Sequence, residues 1–281
     1  MNKKSFVPFT IRIGGDLIRF EKPAIMGIMN LTPDSFFEGS RLGEGYVLKA
    51  AEQMLKDGAE ILDIGGQSTR SGAERIDADT EWERVETILP LLKREFPQAI
   101  ISIDTFHSSV ARRAVEAGAA IINDVSAGNI DGQMYQTVAE LKVPYILMHM
   151  KGDPQTMQQH ASYDDVVGDL ILFFSEEIKK LRALGIADII IDPGFGFAKL
   201  QDHNFEILRN LSELQLLHCP ILVGMSRKKM IQRVTQTDVE NALNGTIAAN
   251  TIALLNGASL LRVHDVKAAS DARAIVMEYC K

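Results

Sequence analysis

Short apolar runs alternate with longer stretches of helical periodicity along almost the whole chain, and that alternation limits its fold more than any other feature. Eight runs have strand character, at residues 24–30, 60–66, 100–105, 120–124, 145–150, 189–192, 221–224 and 259–263. Each is nearly continuous in apolar residues, the pattern of a strand covered on both faces of a parallel sheet. Between them, residues 45–56, 82–93, 109–117, 163–184 and 239–256 repeat apolar side chains at helical spacing, and a terminal helix is expected from Lys267. Gly58, Gly118, Gly185 and Gly257 stand just before the next strand, where a left-handed residue ends a helix without steric penalty. Eight βα units in 281 residues imply an α/β fold, a TIM (β/α)8 barrel. Ahead of them, residues 9–13 and 17–20 flank Gly14-Gly15-Asp16 as a β-hairpin expected to close the bottom of the barrel. With no linker, low-complexity tract or charge block, residues 1–281 read as one domain.

Composition narrows the function. With 46% hydrophobic and 24% charged residues, disordered, collagen-like and coiled-coil readings are excluded. The net charge of -7 argues against a nucleic-acid partner, so an anionic ligand would need a local basic cluster. Cys219 and Cys280 are too few for a disulfide framework or a zinc site. No run approaches the ~20 apolar residues of a membrane span. No leader-like apolar core follows Lys4, so a cytoplasmic protein without a membrane partner is expected.

Polar residues stand at the carboxyl end of every expected strand: Asn30; Asp63 with Gln67, Ser68, Thr69 and Arg70; Asp104; Asn123 and Asp124; His149; Asp192; Ser226, Arg227 and Lys228; Arg262 and His264. In a TIM barrel these ends share one mouth, which holds the active site. A buried carboxylate or amide there gains nothing without a partner. Some of these residues also have a structural reading: Asn30 as a turn former, Asp63 as an anchor within the mouth, Asp124 as a loop cap, His149 as a near-core imidazole. Lys228 and Arg262 end the last two strands, where such barrels commonly seat a phosphate. With Ser226, Arg227 and the start of a helix they supply donors for a diphosphate-sized anion. His264 points the same way as Arg262 if strand alternation holds. Asn30 offers an amide oxygen suited to Mg²⁺. Opposite, Asp104, Asn123 and Asp192 present acceptors for a heterocycle edge with adjacent ring N–H and amino donors.

The motifs at these ends are GIMNLTPDSFFEG (27–39), DIGGQSTRSGA (63–73), SIDT (102–105), INDVSAG (122–128), MHMKG (148–152), DPGFGFAK (192–199), GMSRK (224–228) and RVHDV (262–266). With eight ordered motifs, the chain from Gly27 to Val266 resembles the dihydropteroate synthase family. The resemblance implies a homodimeric TIM barrel that joins a dihydropterin methyl diphosphate to p-aminobenzoate in folate synthesis. It implies Mg²⁺ with the diphosphate on Asn30, and the pterin ring on Asp104, Asn123, Asp192 and Lys228. Arg262 and His264 would hold the diphosphate, with Thr69 at the junction of the two substrates. Thr69, Arg70, Ser71 and Ser226 would line the p-aminobenzoate pocket, and Lys228, Arg70, Arg262 and His264 would form the catalytic set. Three positions depart from the family pattern: Gln67 for Glu, Glu38 for Asp, and Ser71 for Pro. The last predicts a looser lid and weaker discrimination between p-aminobenzoate and sulfonamide mimics.

No nucleophilic triad is apparent, and Asp192-Pro193 stands where a Schiff-base barrel would end its sixth strand in lysine. The site therefore suits departure of an anion: an SN1-like substitution, with the pterin diphosphate bound first, then lid closure, then p-aminobenzoate. A folate-dependent methyltransferase barrel would have no use for the cations at 226–228 and 262–264. A non-catalytic pterin-binding paralogue could dispense with Asn30, Lys228 and the Thr69-Arg70 lid, all of which are present.

Overall fold

A computed structural model describes residues 6–31, 40–68, 74–153 and 155–281. Strands β1 (Phe9–Ile13) and β2 (Asp16–Phe20) pair antiparallel through Gly14 and Gly15, whose φ of 58° and 96° suit glycine. Eight parallel strands form a separate sheet: β3 (Ala24–Asn30), β4 (Ile61–Gly65), β5 (Ile100–Asp104), β6 (Ile121–Asp124), β7 (Tyr145–Met148), β8 (Ile189–Asp192), β9 (Leu222–Val223) and β10 (Leu260–Val263). They pair in the order β8-β7-β6-β5-β4-β3-β10-β9, and a bridge between Ile191 and Ile221 closes the ring. This is the expected barrel, with strands trimmed by one or two residues at their ends.

Helices cover the outside. In chain order these are α1 (Ser40–Lys56), α2 (Ala78–Val85), α3 (Ile88–Glu95), α4 (Ser108–Glu116), α5 (Met134–Leu141), α6 (Val166–Ala183), α7 (Gln201–Arg209), α8 (Lys229–Thr235), α9 (Leu243–Leu255) and α10 (Val266–Tyr279). The single helix expected at 82–93 is two, α2 and α3. Pro90 has no N–H to donate and its ring crowds the carbonyl of Glu86, so the first helix caps there. The helix expected over 239–256 starts only at Leu243, because the Asp238 carboxylate accepts from the Asn241 amide and turns the chain first. α5 and α7 were not expected; eight or nine residues make little more than two turns, too short for a helical period to be read.

Two apolar layers result. Between sheet and helices lie Ile25, Leu62, Ile101, Ile122, Leu147 and Ile191, packed in one cluster with Val85, Leu89, Val110 and Leu170. Inside the barrel, Met26, Ile61, Ile121, Ile146, Ile190, Leu222 and Leu260 meet Ile11 and Phe20 of the hairpin. Phe9 stacks on Phe20 at 4.8 Å, so the hairpin plugs the lower end as expected. Register then decides which polar residues face inward above this layer. Asp63 stands opposite Ser102, Asp104 opposite Asn123, Met148 opposite Asp192 and Arg262 opposite Met26. Asp124 and His149, one residue on from inward positions, face the other way.

Truncating the plug tests this account. Ile11→Ala removes a fully buried side chain from the barrel floor and is expected to cost about 2–5 kcal/mol in urea unfolding. The kinetic constants of the folded variant should not move, because the apolar layer separates the floor from the mouth.

Candidate active site

Arg262 occupies the middle of the mouth. Its Nε donates to Asp63 Oδ2 at 2.6 Å and its Nη2 to Asp104 Oδ2 at 2.7 Å. Asp63 Oδ2 also accepts from Asn123 Nδ2 at 3.1 Å, so residues of β4, β5, β6 and β10 form one network. Here the structure corrects the expected layout. Arg262 does not face the acidic groups from an opposite anion pocket; it lies among them. An eight-stranded barrel is narrow enough for an arginine to reach strands two and three places away. Two buried carboxylates without a cation would carry the full cost of lost hydration. Asp63 Oδ1, Asp104 Oδ1 and Ser102 Oγ remain buried without a hydrogen-bond partner. Such orphaned atoms are uncommon in folded proteins and mark places a ligand can satisfy.

Burial pushes the Asp104 carboxyl up to about 7; Arg262 opposes the shift, and Asp63, Asp124 and Asp192 add to it. The Asp192 carboxyl is also raised by burial, against the pull of Lys228 and the Gly194 amide, which donates to Oδ1 at 2.7 Å. Burial lowers Lys228 to about 8, with Asp192 working the other way. The Lys228 ammonium donates to the Phe195 carbonyl at 2.6 Å and lies 4.6 Å from the centre of the Phe197 ring. Lys228, Asp192, Arg262 and Asp104 therefore share one electrostatic site.

Ser226 is buried, and its Oγ accepts from the His264 amide at 3.2 Å and lies 3.0 Å from His264 Nδ1. His264 is exposed at the rim. Arg227, expected among the anion donors, is committed elsewhere. Its Nε and Nη2 both bond Asp265 at 2.8 Å, and its Nη1 bonds the carbonyls of Val239 and Glu240. Asn30 ends β3 beside Gly65, half-buried, and its side chain makes no hydrogen bond to another described residue. No group of three or more His, Cys, Asp or Glu among the described residues could hold a metal. Thr69, Arg70, Ser71 and Glu38 lie outside the described residues.

The residues with two readings now separate. Asp124 accepts from the Ser126 amide and hydroxyl, the Gly128 amide and the Tyr145 hydroxyl, so it caps its loop. His149 is buried edge-on against Phe173 at 4.8 Å, and burial with Lys199 and Lys151 holds it down at about 2, a neutral near-core imidazole. Asp63 anchors its neighbours within the mouth, Arg262 and Asn123.

Two further residues, Lys199 and Glu81, escaped the sequence reading, and a third, Gln67, has a role it did not give. Lys199 is buried with Nζ at 3.0 Å from His149 Nδ1, bonds the carbonyls of His149 and Phe197, and is lowered by burial to about 7. Its motif was visible; its inward direction was not. Glu81 lies behind Asp104, bonded to the Thr105 hydroxyl at 3.0 Å and raised by burial to about 8. It precedes the stretch that reads as helix, so nothing singled it out. Gln67 donates to the carbonyls of Ser68 and Glu74 and accepts from the Ile76 amide, tying together both flanks of 69–73. A glutamate there could not donate, so the amide is more than a lost charge.

Removing Arg262 should expose how the network is balanced. Arg262→Met is expected to cost about 3–5 kcal/mol in urea unfolding at pH 8, because buried carboxylates lose their cation. The folded-state Asp104 carboxyl, already raised, would rise further. Between about 7 and that higher value the variant's folded state holds a proton that wild type has lost, so the deficit should shrink as pH falls towards about 7 and level off below it.

The family profile described as "Pterin binding enzyme" matches residues 26–264. A dihydropteroate synthase of Synechocystis is 41% identical over 268 residues, covering 94% of this chain and 92% of its own. The Yersinia pestis dihydropteroate synthase, solved in complex with a sulfonamide drug, superposes with a TM-score of 0.90 at 37% identity, over 96% of this chain and 99% of that one. The Xanthomonas albilineans dihydropteroate synthase, solved with 4-aminobenzoic acid, does so with a TM-score of 0.90 at 37% identity, over 97% and 98%. Similarity of this extent, over a barrel whose mouth joins carboxylates to buried cations, places the chain in the dihydropteroate synthase family of pterin-binding enzymes.

Proposed function

We propose that this chain condenses a dihydropterin methyl diphosphate with p-aminobenzoate, giving dihydropteroate and diphosphate. The observation that carries the reading is the mouth network, in which Arg262 bridges Asp63 and Asp104 and Lys228 lies in the field of Asp192. Orphaned carboxylate oxygens at Asp63 and Asp104 suit the paired N–H donors of a pterin edge. Asn123 and Asp192 complete that acceptor set, and Lys228 is assigned to the ring and to its diphosphate.

In the reaction the carbon–oxygen bond of the pterin methylene breaks and its electron pair leaves with the diphosphate. Lys228, Arg262 and His264 offset the developing negative charge, while Asp104 and Asp192 face the positive charge left on the ring. The arylamine nitrogen then forms the new bond and releases its proton. Ser226, bonded to His264, is assigned to the p-aminobenzoate side, the role the family resemblance also gives to Thr69, Arg70 and Ser71. Asn30 supplies a single oxygen donor, which fits a Mg²⁺ held mainly by substrate phosphates and water; when bound, the ion neutralises charge on the diphosphate. The homodimer belongs to the same reading, supported by exposed Ile252, Leu255 and Ile275 on α9 and α10. No helix among the described residues is long and apolar enough to cross a membrane.

The reading is tested by diphosphate release on mixing both substrates, with and without Mg²⁺. Lys228→Ala should lower kcat by roughly 10²–10³-fold, the scale of losing one preorganised charge contact. Binding of the ring needs ionised Asp104, so kcat/KM should rise as pH passes about 7, and it should fall above about 8 as Lys228 loses its proton. Asp104→Asn should abolish the acid limb and leave the alkaline one. Tight pterin binding without diphosphate release would instead favour a non-catalytic binder.

A further inference from the structure

Arg227 stands between two site residues, Ser226 and Lys228, in a backbone conformation that side chains other than glycine rarely take, with φ of 55°. Its own side chain does not face the mouth. Every guanidinium nitrogen is engaged: Nε and Nη2 form a bidentate pair with Asp265, and Nη1 bonds two carbonyls of the segment before α9, those of Val239 and Glu240. The Arg227 amide donates to the Thr246 hydroxyl on α9 at 3.0 Å, and its carbonyl accepts from Gln232 Nε2 on α8 at 2.7 Å. A left-handed residue in a functional loop persists only where its surroundings over-determine it. Here they do, through Asp265, the segment before α9, α9 itself and α8.

The partner of this clamp is informative. Asp265 directly succeeds His264 and precedes α10, yet its carboxylate makes no cap bond to that helix and is given to Arg227 instead. The fork therefore joins the loop after β9 to the end of β10. One residue earlier in each segment, Ser226 and His264 make a second tie between the same two strand ends. β9 is only two residues long, so its ladder bonds contribute little to fixing the loop at its carboxyl end. Lys228, whose Nζ reaches the Phe195 carbonyl in the loop after the neighbouring strand β8, starts from this loop.

We propose that Arg227 is a positioning residue whose bidentate pair with Asp265 sets Lys228 and Ser226 relative to Arg262 and His264, rather than a residue that contacts either substrate. The inference rests on the reading of this mouth as a dihydropterin diphosphate site. A lysine would not replace the function, because one ammonium cannot bond both Asp265 oxygens and two carbonyls in a planar fork.

Steady-state kinetics on wild type, Arg227→Gln, Asp265→Asn and the double variant provide the test, with both substrates varied and with calorimetric titration of inorganic diphosphate. Wild-type turnover is the control for the functional reading itself; if wild type releases no diphosphate, that reading fails whatever the variants do. Given turnover, each single variant should lower kcat by at least 10-fold, with KM for p-aminobenzoate changed less than 3-fold and diphosphate binding weakened. The double variant should be no worse than the worse single one, and Asp265→Glu should recover part of the loss. A rise in KM for p-aminobenzoate in Arg227→Gln alone, with Asp265→Asn near wild type, would mean that Arg227 touches substrate and would overturn the proposal. So would lowered thermal midpoints with unchanged kinetics, or additive losses. If Arg227→Gln does not accumulate as folded protein, Arg227→Lys replaces it in the same cycle, with the same outcomes decisive.

Discussion

Arg262 reaches across the barrel mouth to Asp63 and Asp104, and that reach offsets the cost of burying two carboxylates side by side. A buried ion pair is weak evidence of stabilisation, since well-packed apolar side chains of similar volume commonly serve the fold as well. Its persistence here is better understood through the atoms it leaves for a ligand. Each carboxylate gives one oxygen to the guanidinium and keeps the other without a partner inside the protein. The network thus holds acceptors that are desolvated and aligned in advance, and a ligand that supplies N–H donors displaces little water to reach them.

Charge is stratified along the barrel axis. The floor is wholly apolar, from Met26 and Ile61 to Leu222 and Leu260. One turn of the strands higher, aspartates, Asn123 and Arg262 replace aliphatic side chains, and Lys228 enters from the loop above β9. A second buried ammonium, Lys199, holds to the neutral His149 ring and to two carbonyls. It bonds the carbonyl of Phe197, whose ring in turn lies against Lys228, so the two lysines are connected through one loop. Glu81 lies on the opposite flank, where its raised protonation limits the negative charge behind Asp104.

Much of this was legible in the sequence. Continuous apolar runs ending in polar residues disclosed the strands, their parallel arrangement and the end that carries the site. Period two, applied from each strand end, correctly separates inward Asn123 from outward Asp124. Distances across the barrel were withheld. Nothing in RVHDV says that Arg262 also pairs with Asp63, 199 residues earlier. Arg227 misled for the same reason: a cation in a motif reads as an anion donor until a partner such as Asp265 is seen. Pro90 carried the break between α2 and α3 in plain view, but a helical period spanning it hid the interruption.

The hairpin plug gives the barrel the shape of a flask, with a sealed base and a single neck. Whatever settles deepest has to be loaded first and unloaded last, because nothing can slip out beneath it. With the unpartnered oxygens of Asp63 and Asp104 lying just over that base, queueing is imposed by architecture before any loop moves, and traffic through the neck sets an upper bound on how fast the vessel can be emptied and refilled.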